Sequence, residues 1–186
     1  TIGGTNGDAT FGNDFSAYAK YLVPTANCQS NNATIISVAK VAMNCPASQS
    51  YNSVYTNPSS TYEAMWNLTE FTTYMLDYDY YASSSRGALG VWRDKMGNCC
   101  DMAHFTNAMA RSLGVPGRYS HWNCQFAVTN TGHVWSDVYC PDAPGTNSYN
   151  KAGWLPADPV NDPNYLGYQN HTNEYRLSGP HATLPF

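Results

Sequence analysis

A thiol, an imidazole and a carboxylate occur in that order along this chain, each in a setting suited to acyl and proton transfer. Cys99 lies in Gly97-Asn98-Cys99-Cys100-Asp101-Met102-Ala103-His104, where a polar turn runs into a segment of helical spacing. His133 lies in Gly132-His133-Val134-Trp135, and Asp158 in Trp154-Leu155-Pro156-Ala157-Asp158-Pro159. A cysteine in the first turn of a helix meets the positive end of the macrodipole, which favours its thiolate. Histidine is the usual base for such a thiol, and a carboxylate on its other ring nitrogen fixes the tautomer. Each residue also has a plainer reading: Cys99 as a small buried hydrophobe, His133 as a half-exposed ring, Asp158 as a turn former with Asp162. Their joint occurrence favours a cysteine-nucleophile enzyme. Cys100 points about a quarter-turn away and is expected to be packed and inert.

Such a thiol needs a helix, and residues 99–113 are expected to form it. Asn98 is a cap, Met102, Phe105, Met109 and Leu113 recur at helical steps, and Gly114 with Pro116 supplies the stop. Upstream, residues 33–43 follow the N-cap Asn32, are apolar on most sides and predict a largely buried helix ended by Asn44 and Pro46. Ser60-Thr61-Tyr62-Glu63 fits a capping box, and the spacing of Ala64, Met65, Leu68, Phe71 and Met75 predicts an amphipathic helix over 61–76.

The base and acid need strands. Residues 117–127 and 132–140 alternate and are rich in Tyr, Trp, Val and Phe, which predicts a hairpin turning at Thr129-Asn130-Thr131-Gly132. Alternation puts His133, Trp135, Asp137 and Tyr139 on one face, with Val134, Ser136, Val138 and Cys140 on the other. A short strand at 153–158 brings in Asp158, and the tail from Asn161 is expected to be irregular and polar. Helices first and strands later give an α+β fold, with N-terminal helices, including a central nucleophile-bearing one, packed on a C-terminal antiparallel sheet.

At 186 residues the chain suits one domain, taken as 14–186 behind a Gly- and Asn-rich, linker-like segment 1–13. Charged residues make up 12% of the chain, about half the usual share, and the net charge is −4. That argues against nucleic acid or an anionic membrane as partner. No apolar run approaches the ~20 residues of a membrane span. The chain begins at Thr1 with no secretory signal, and is expected to be a processed protein or an excised domain. Of the six cysteines, Cys28 with Cys45 is the one bridge considered, and a reduced protein is the expectation. Three Asn-x-Thr sequons, at Asn32, Asn67 and Asn170, are what an Asn/Thr-rich chain produces by chance.

A zinc site is the competing use of these residues. Cys100-x3-His104 and His121-x2-Cys124 have spacings that would serve if helix and strand faced each other at that level, although they are not those of the common fingers. No Asp/Asn run resembles an EF-hand, and a Ca²⁺ or Mg²⁺ ion is left open.

Gly97-x-Cys99-x-Asp101-x-Ala103, Gly132-His133-Val134-Trp135 and the Asp158-Pro159 strand end resemble the transglutaminase-like, papain-related superfamily. Tyr21-Leu22-Val23-Pro24-Thr25-Ala26-Asn27-Cys28-Gln29, Arg86-Gly87-Ala88-Leu89-Gly90 and Tyr119-Ser120-His121-Trp122-Asn123-Cys124-Gln125-Phe126 are similar to the pseudomurein endoisopeptidases of methanogens and their viruses. The resemblance runs from about Tyr21 to Asp162. It departs at Cys100, where an aliphatic residue is expected, but register with Gly97 and Asp101 favours Cys99 as nucleophile. It implies a Cys99-His133-Asp158 triad hydrolysing the isopeptide bond between an alanine carboxyl and a lysine ε-amine, with no required cofactor. It points to the Tyr78–Tyr81 cluster for a second oxyanion donor, with Tyr81 the choice and packing aromatics the alternative. It also implies action on the cell wall, a monomer, and wall-binding repeats upstream of this segment. Acyl transfer of the transglutaminase kind, making cross-links, and a non-catalytic surface module remain the rival functions.

Overall fold

The computed structural model describes residues 9–83, 86–160 and 165–176. In chain order its helices are α1 (Ala33–Met43), α2 (Thr61–Met75), α3 (Gly87–Asp94) and α4 (Cys99–Ser112). A two-residue strand β1 (Asp77–Tyr78) pairs in parallel with β2 (Met96–Gly97), either side of α3. The main sheet follows α4 with β3 (Gly117–Gln125), β4 (Asn130–Cys140), β5 (Gly153–Ala157) and β6 (Thr172–Arg176). Its order is β5-β4-β3-β6, antiparallel throughout. The α+β class is as expected.

Caps fix where the helices start. The Asn32 side chain accepts the Thr34 N–H at 2.9 Å, and the Ser60 hydroxyl accepts the Glu63 N–H at 3.1 Å. Glu63 reaches back to the Ser59 N–H and hydroxyl, one residue beyond the cap expected for a capping box. Asn98 caps α4 by accepting the Asp101 N–H at 3.0 Å, and Gly114 ends it at φ +79. Asn32 and Asn67 are thus structural, Asn67 being fully buried with hydrogen bonds to Met43 and Tyr55.

α4 is not amphipathic in its burial. Every residue from Asp101 to Ser112 is buried, enclosed by the other helices on one side and the sheet on the other. Several of its polar residues are bonded internally. Arg111 donates twice to the Gly117 carbonyl and once to that of Val23, and Thr106 donates to Met102 O. On the sheet, Val134 packs on Ala103, the Ser136 hydroxyl donates to Ala103 O, and Val138 and Cys140 enter the main core. These four share a face, as the alternation predicts, and it is the face turned to the helices. Tyr139 on the opposite face packs against Phe15, Tyr18 and Trp154.

The structure corrects several expectations. The hairpin turns at Phe126–Thr129, where the Phe126 N–H bonds Thr129 O at 2.8 Å, so β4 starts at Asn130 and His133 lies inside it. Gly132 does not adopt a positive φ and sits in the strand opposite Asn123. α3 was not predicted; it is only eight residues long and begins at Gly87 with φ +61, without a side-chain cap to announce it. The tail is not all irregular, because β6 pairs with β3. The packed chain also begins before residue 14. Ala9 is buried and bonds Leu113 O and the Thr61 hydroxyl, while residues 1–8 of the linker-like segment lie outside the described residues. Cys28 and Cys45 are free thiols, as are the other four cysteines. Among the described residues no helix is long and apolar enough to cross a membrane.

Candidate active site

α4 presents its first residue, the half-exposed Cys99, to the beginning of β4. There the His133 ring and the Val134 backbone N–H come close enough to favour the Cys99 thiolate. His133 Nε2 lies 2.7 Å from Asp158 Oδ2, which leaves Nδ1 as the nitrogen facing the thiol. Asp158 follows directly on β5, whose Ala157 pairs with Ser136 of β4, so sheet register sets the spacing of base and acid. The three predicted residues are brought together.

Their charges support one another. Cys99 has a pKa lowered to about 4, by a hydrogen bond from the Cys100 thiol and by the His133 ring, against the opposing effect of burial. Burial by itself would pull His133 down, but the Asp158 carboxylate and then the thiolate raise it to about 10. Burial likewise opposes ionisation of Asp158, yet His133 holds it well below the usual carboxylate range. At neutral pH the group is therefore a thiolate–imidazolium pair backed by a carboxylate, an arrangement suited to nucleophilic attack and proton donation.

Cys100 does not sit apart as the expected inert filler. It packs on the same Ala103, Tyr119 and Val134 cluster as Cys99 and lines the same cleft. The neighbouring thiolate and burial hold its own pKa well above that of an ordinary thiol, so it remains the S–H donor of the pair. Cys100→Ala should consequently raise the Cys99 pKa above about 4, read as an upward shift of the acid limb of iodoacetamide alkylation against pH.

Tyr81 does not take the position expected of an oxyanion donor. Its hydroxyl donates to Asp101 Oδ2 at 2.6 Å and accepts the Asn98 N–H at 3.1 Å, so its one proton is committed. The buried Asp101 also accepts the Gly87 N–H at 2.9 Å and the Arg86 N–H at 3.1 Å. These bonds explain the Arg86-Gly87 and Gly97-x-Cys99-x-Asp101 segments physically: they tie the chain before α3 to the first turn of α4. Tyr78 lines the same cleft as the thiols, and burial with the nearby Cys99 pushes its pKa up to about 12.

The zinc reading fails. His104 is buried with Nδ1 on the Tyr119 hydroxyl at 2.9 Å, and Cys100, His104, His121 and Cys124 do not converge. Among the described residues the donors that do approach one another, within 4.8 Å, are His133, Asp158 and His171. The 2.7 Å between His133 and Asp158 is a hydrogen bond, shorter than the roughly 3.3 Å between two ligands on one tetrahedral zinc.

A cleft of about 760 Å³ opens above the thiols, between the Tyr78–Ser83 segment and the β3–β4 turn. Among the described residues its lining has no Lys, Arg, Asp or Glu. At its rim stand two apolar side chains with almost no packing of their own, Tyr80 at 88% and Val128 at 93% exposure.

The family model of the transglutaminase-like superfamily matches residues 49–159, more than half of the chain and a span that includes all three groups. The chain belongs to the transglutaminase-like superfamily. No curated protein matches it. Among solved structures it resembles a protein from Cytophaga hutchinsonii named as a candidate cysteine protease, at 18% identity and a TM-score of 0.59. The likeness covers 79% of this chain and 43% of that one, so the chain spans less than half of that neighbour's length. At this identity the likeness concerns the fold. The superfamily match ends at residue 159, short of Gln169 and His171, both of which pack on Asp158 and neither of which the sequence singled out. The only signal there was the Asn170-His171-Thr172 sequon, which pointed elsewhere.

Proposed function

We propose that this protein is a cysteine peptidase that hydrolyses an isopeptide bond, and that its substrate is the alanine–lysine cross-link of pseudomurein. The observation that carries the peptidase reading is the line from the Cys99 thiolate through His133 to Asp158 at the foot of an open cleft. Cys99 attacks the carbonyl carbon, and the S–C bond forms as the carbonyl electron pair moves to oxygen. The Cys99 N–H, which has no acceptor within α4, receives that oxyanion, with the Tyr78 hydroxyl as the candidate second donor. Collapse of the intermediate breaks the C–N bond while His133 gives its proton to the leaving amine. Water then attacks the thioester with His133 as base and Asp158 holding the ring. Substrate, one water and these side chains supply every proton and electron pair in the sequence, and the thiolate–imidazolium pair is restored at its end.

Two features favour a neutral wall peptide over an ordinary charged one. The described cleft lining carries no charge beyond the catalytic groups, and of the segments similar to pseudomurein endoisopeptidases one lines it through Phe126, one bonds Asp101 through the Arg86 N–H, and one accepts the Ala88 N–H at Asn27 O. Turbidity of isolated pseudomurein sacculi tests the reading. Clearing that is lost on thiol alkylation supports it. Intact sacculi that incorporate a labelled amine would instead show acyl transfer, and neither effect would show a non-catalytic module or a different substrate.

A further inference from the structure

The carboxylate of Asp158 has more company than a triad requires, and all of the surplus comes from one short segment. Gln169 Nε2 donates to Asp158 Oδ2 at 3.0 Å. His171 Nε2 lies 3.6 Å from the same oxygen, in a side chain that is fully buried. Neither ring nitrogen of His171 has a hydrogen-bond partner among the described residues. Its ring stands edge-on to His133 with centroids 5.1 Å apart and completes a box with Phe126 and Trp135. Pairing of β6 with β3 fixes the end of this segment.

A buried imidazole whose nearest polar neighbour among the described residues is a carboxylate oxygen 3.6 Å away is costly as mere filler, and phenylalanine would fill the same box without that cost. The choice of histidine therefore calls for a role beyond packing. We propose that Gln169 and His171 are positioning residues, which hold Asp158 ionised against His133 and so sustain the Cys99–His133 ion pair. The working unit then extends beyond the superfamily match, to β6. This inference rests on the reading of Cys99, His133 and Asp158 as one catalytic unit.

Gln169 acts by donating to the oxygen that His133 uses, which stabilises the charged form of the carboxylate. His171 acts from the other side, excluding water and presenting its Nε2 edge to the same oxygen. A weakened carboxylate would let the His133 pKa fall, and the Cys99 pKa would rise with it. Other ionisable groups around His133 stay in place: Cys99 and Cys100 on α4, Tyr78 across the cleft, and the Asp137–Arg118 pair behind Trp135, whose Nε1 donates to Asp137.

The test is the pH dependence of Cys99 alkylation by iodoacetamide in the intact protein, which needs no wall substrate, beside melting temperature and circular dichroism. His171→Phe keeps the ring and removes the nitrogens, and Gln169→Leu keeps the bulk and removes the donor. The expected result is a normal fold in both, with the acid limb raised by about half a pH unit or more in each and by at least one unit in the double variant. If His171→Phe and Gln169→Leu fold normally and their profiles superimpose on the wild type, the positioning role is wrong. Should one variant not fold, the other decides, since each removes a separate contact to the same oxygen. A wild-type Cys99 that titrates like an ordinary thiol near 8.5 would show instead that the catalytic reading itself has failed.

Discussion

Cys99→Ala should abolish clearing of sacculi, a loss on the order of 10⁴-fold or more, because the other thiol in the cleft, Cys100, is held protonated. Cys100→Ala should keep activity within roughly tenfold of wild type, since it removes one hydrogen bond to the thiolate and no reacting atom. Retained lysis in Cys99→Ala with loss in Cys100→Ala would reverse the assignment of the two thiols. Stability against pH gives an independent check with the sign fixed in advance. The Cys99 pKa falls from 9.0 to about 4 on folding, so its contribution is full above 9.0 and is lost as pH drops toward 4. The His133 pKa rises from 6.5 to about 10, so its contribution is full below 6.5 and is lost as pH climbs toward 10. Between 6.5 and 9.0 the two slopes oppose, and the wild type should show a plateau in urea midpoint. Cys99→Ala removes one slope only, so its midpoint should decline as pH rises from 6.5.

Asp158→Ala should lower kcat on the order of 10³- to 10⁴-fold, with little change in KM, since Asp158 lies behind His133 and away from the cleft. The alkaline limb of kcat/KM should move from about 10 down toward 6.5, because burial disfavours the imidazolium once its counter-charge is gone. Stability should also fall, by about 1–3 kcal/mol, as the Val160 N–H and the Gln169 amide lose their acceptor in a fully buried site. Asp158→Asn should be milder in both respects, because an amide oxygen can still accept from His133. An alkaline limb left near 10 in Asp158→Ala would show that some other group charges the imidazole.

What the sequence made legible follows from where the information is local. α1, α2 and α4 announce themselves by caps and spacing, and their ends agree within a residue or so. The α4 cap also locates Cys99, since Asn98, the thiol and Asp101 lie within one turn. His133 and Asp158 could be read from strand alternation and a strand end. Tyr81 and Tyr78 could not be told apart, because only the folded chain decides which phenol is spent on Asp101. Gln169 and His171 were invisible for a related reason. Their meaning comes from β6 pairing with β3, a contact some 50 residues distant in a segment with no clear period. Gly132 misled because glycine marks turns only where the backbone needs a positive φ.

The parts of the site lie at positions 99, 133, 158 and 171, and the strand that seats the last of them ends at Arg176. During synthesis at 5–20 residues per second, about 4 to 15 s separate the making of Cys99 from that of Arg176. Through that interval the nucleophile is a common cysteine, protonated at cellular pH and no more reactive than any other thiol. Its reactivity waits on the strands that carry its partners, and comes only when the sheet closes over α4.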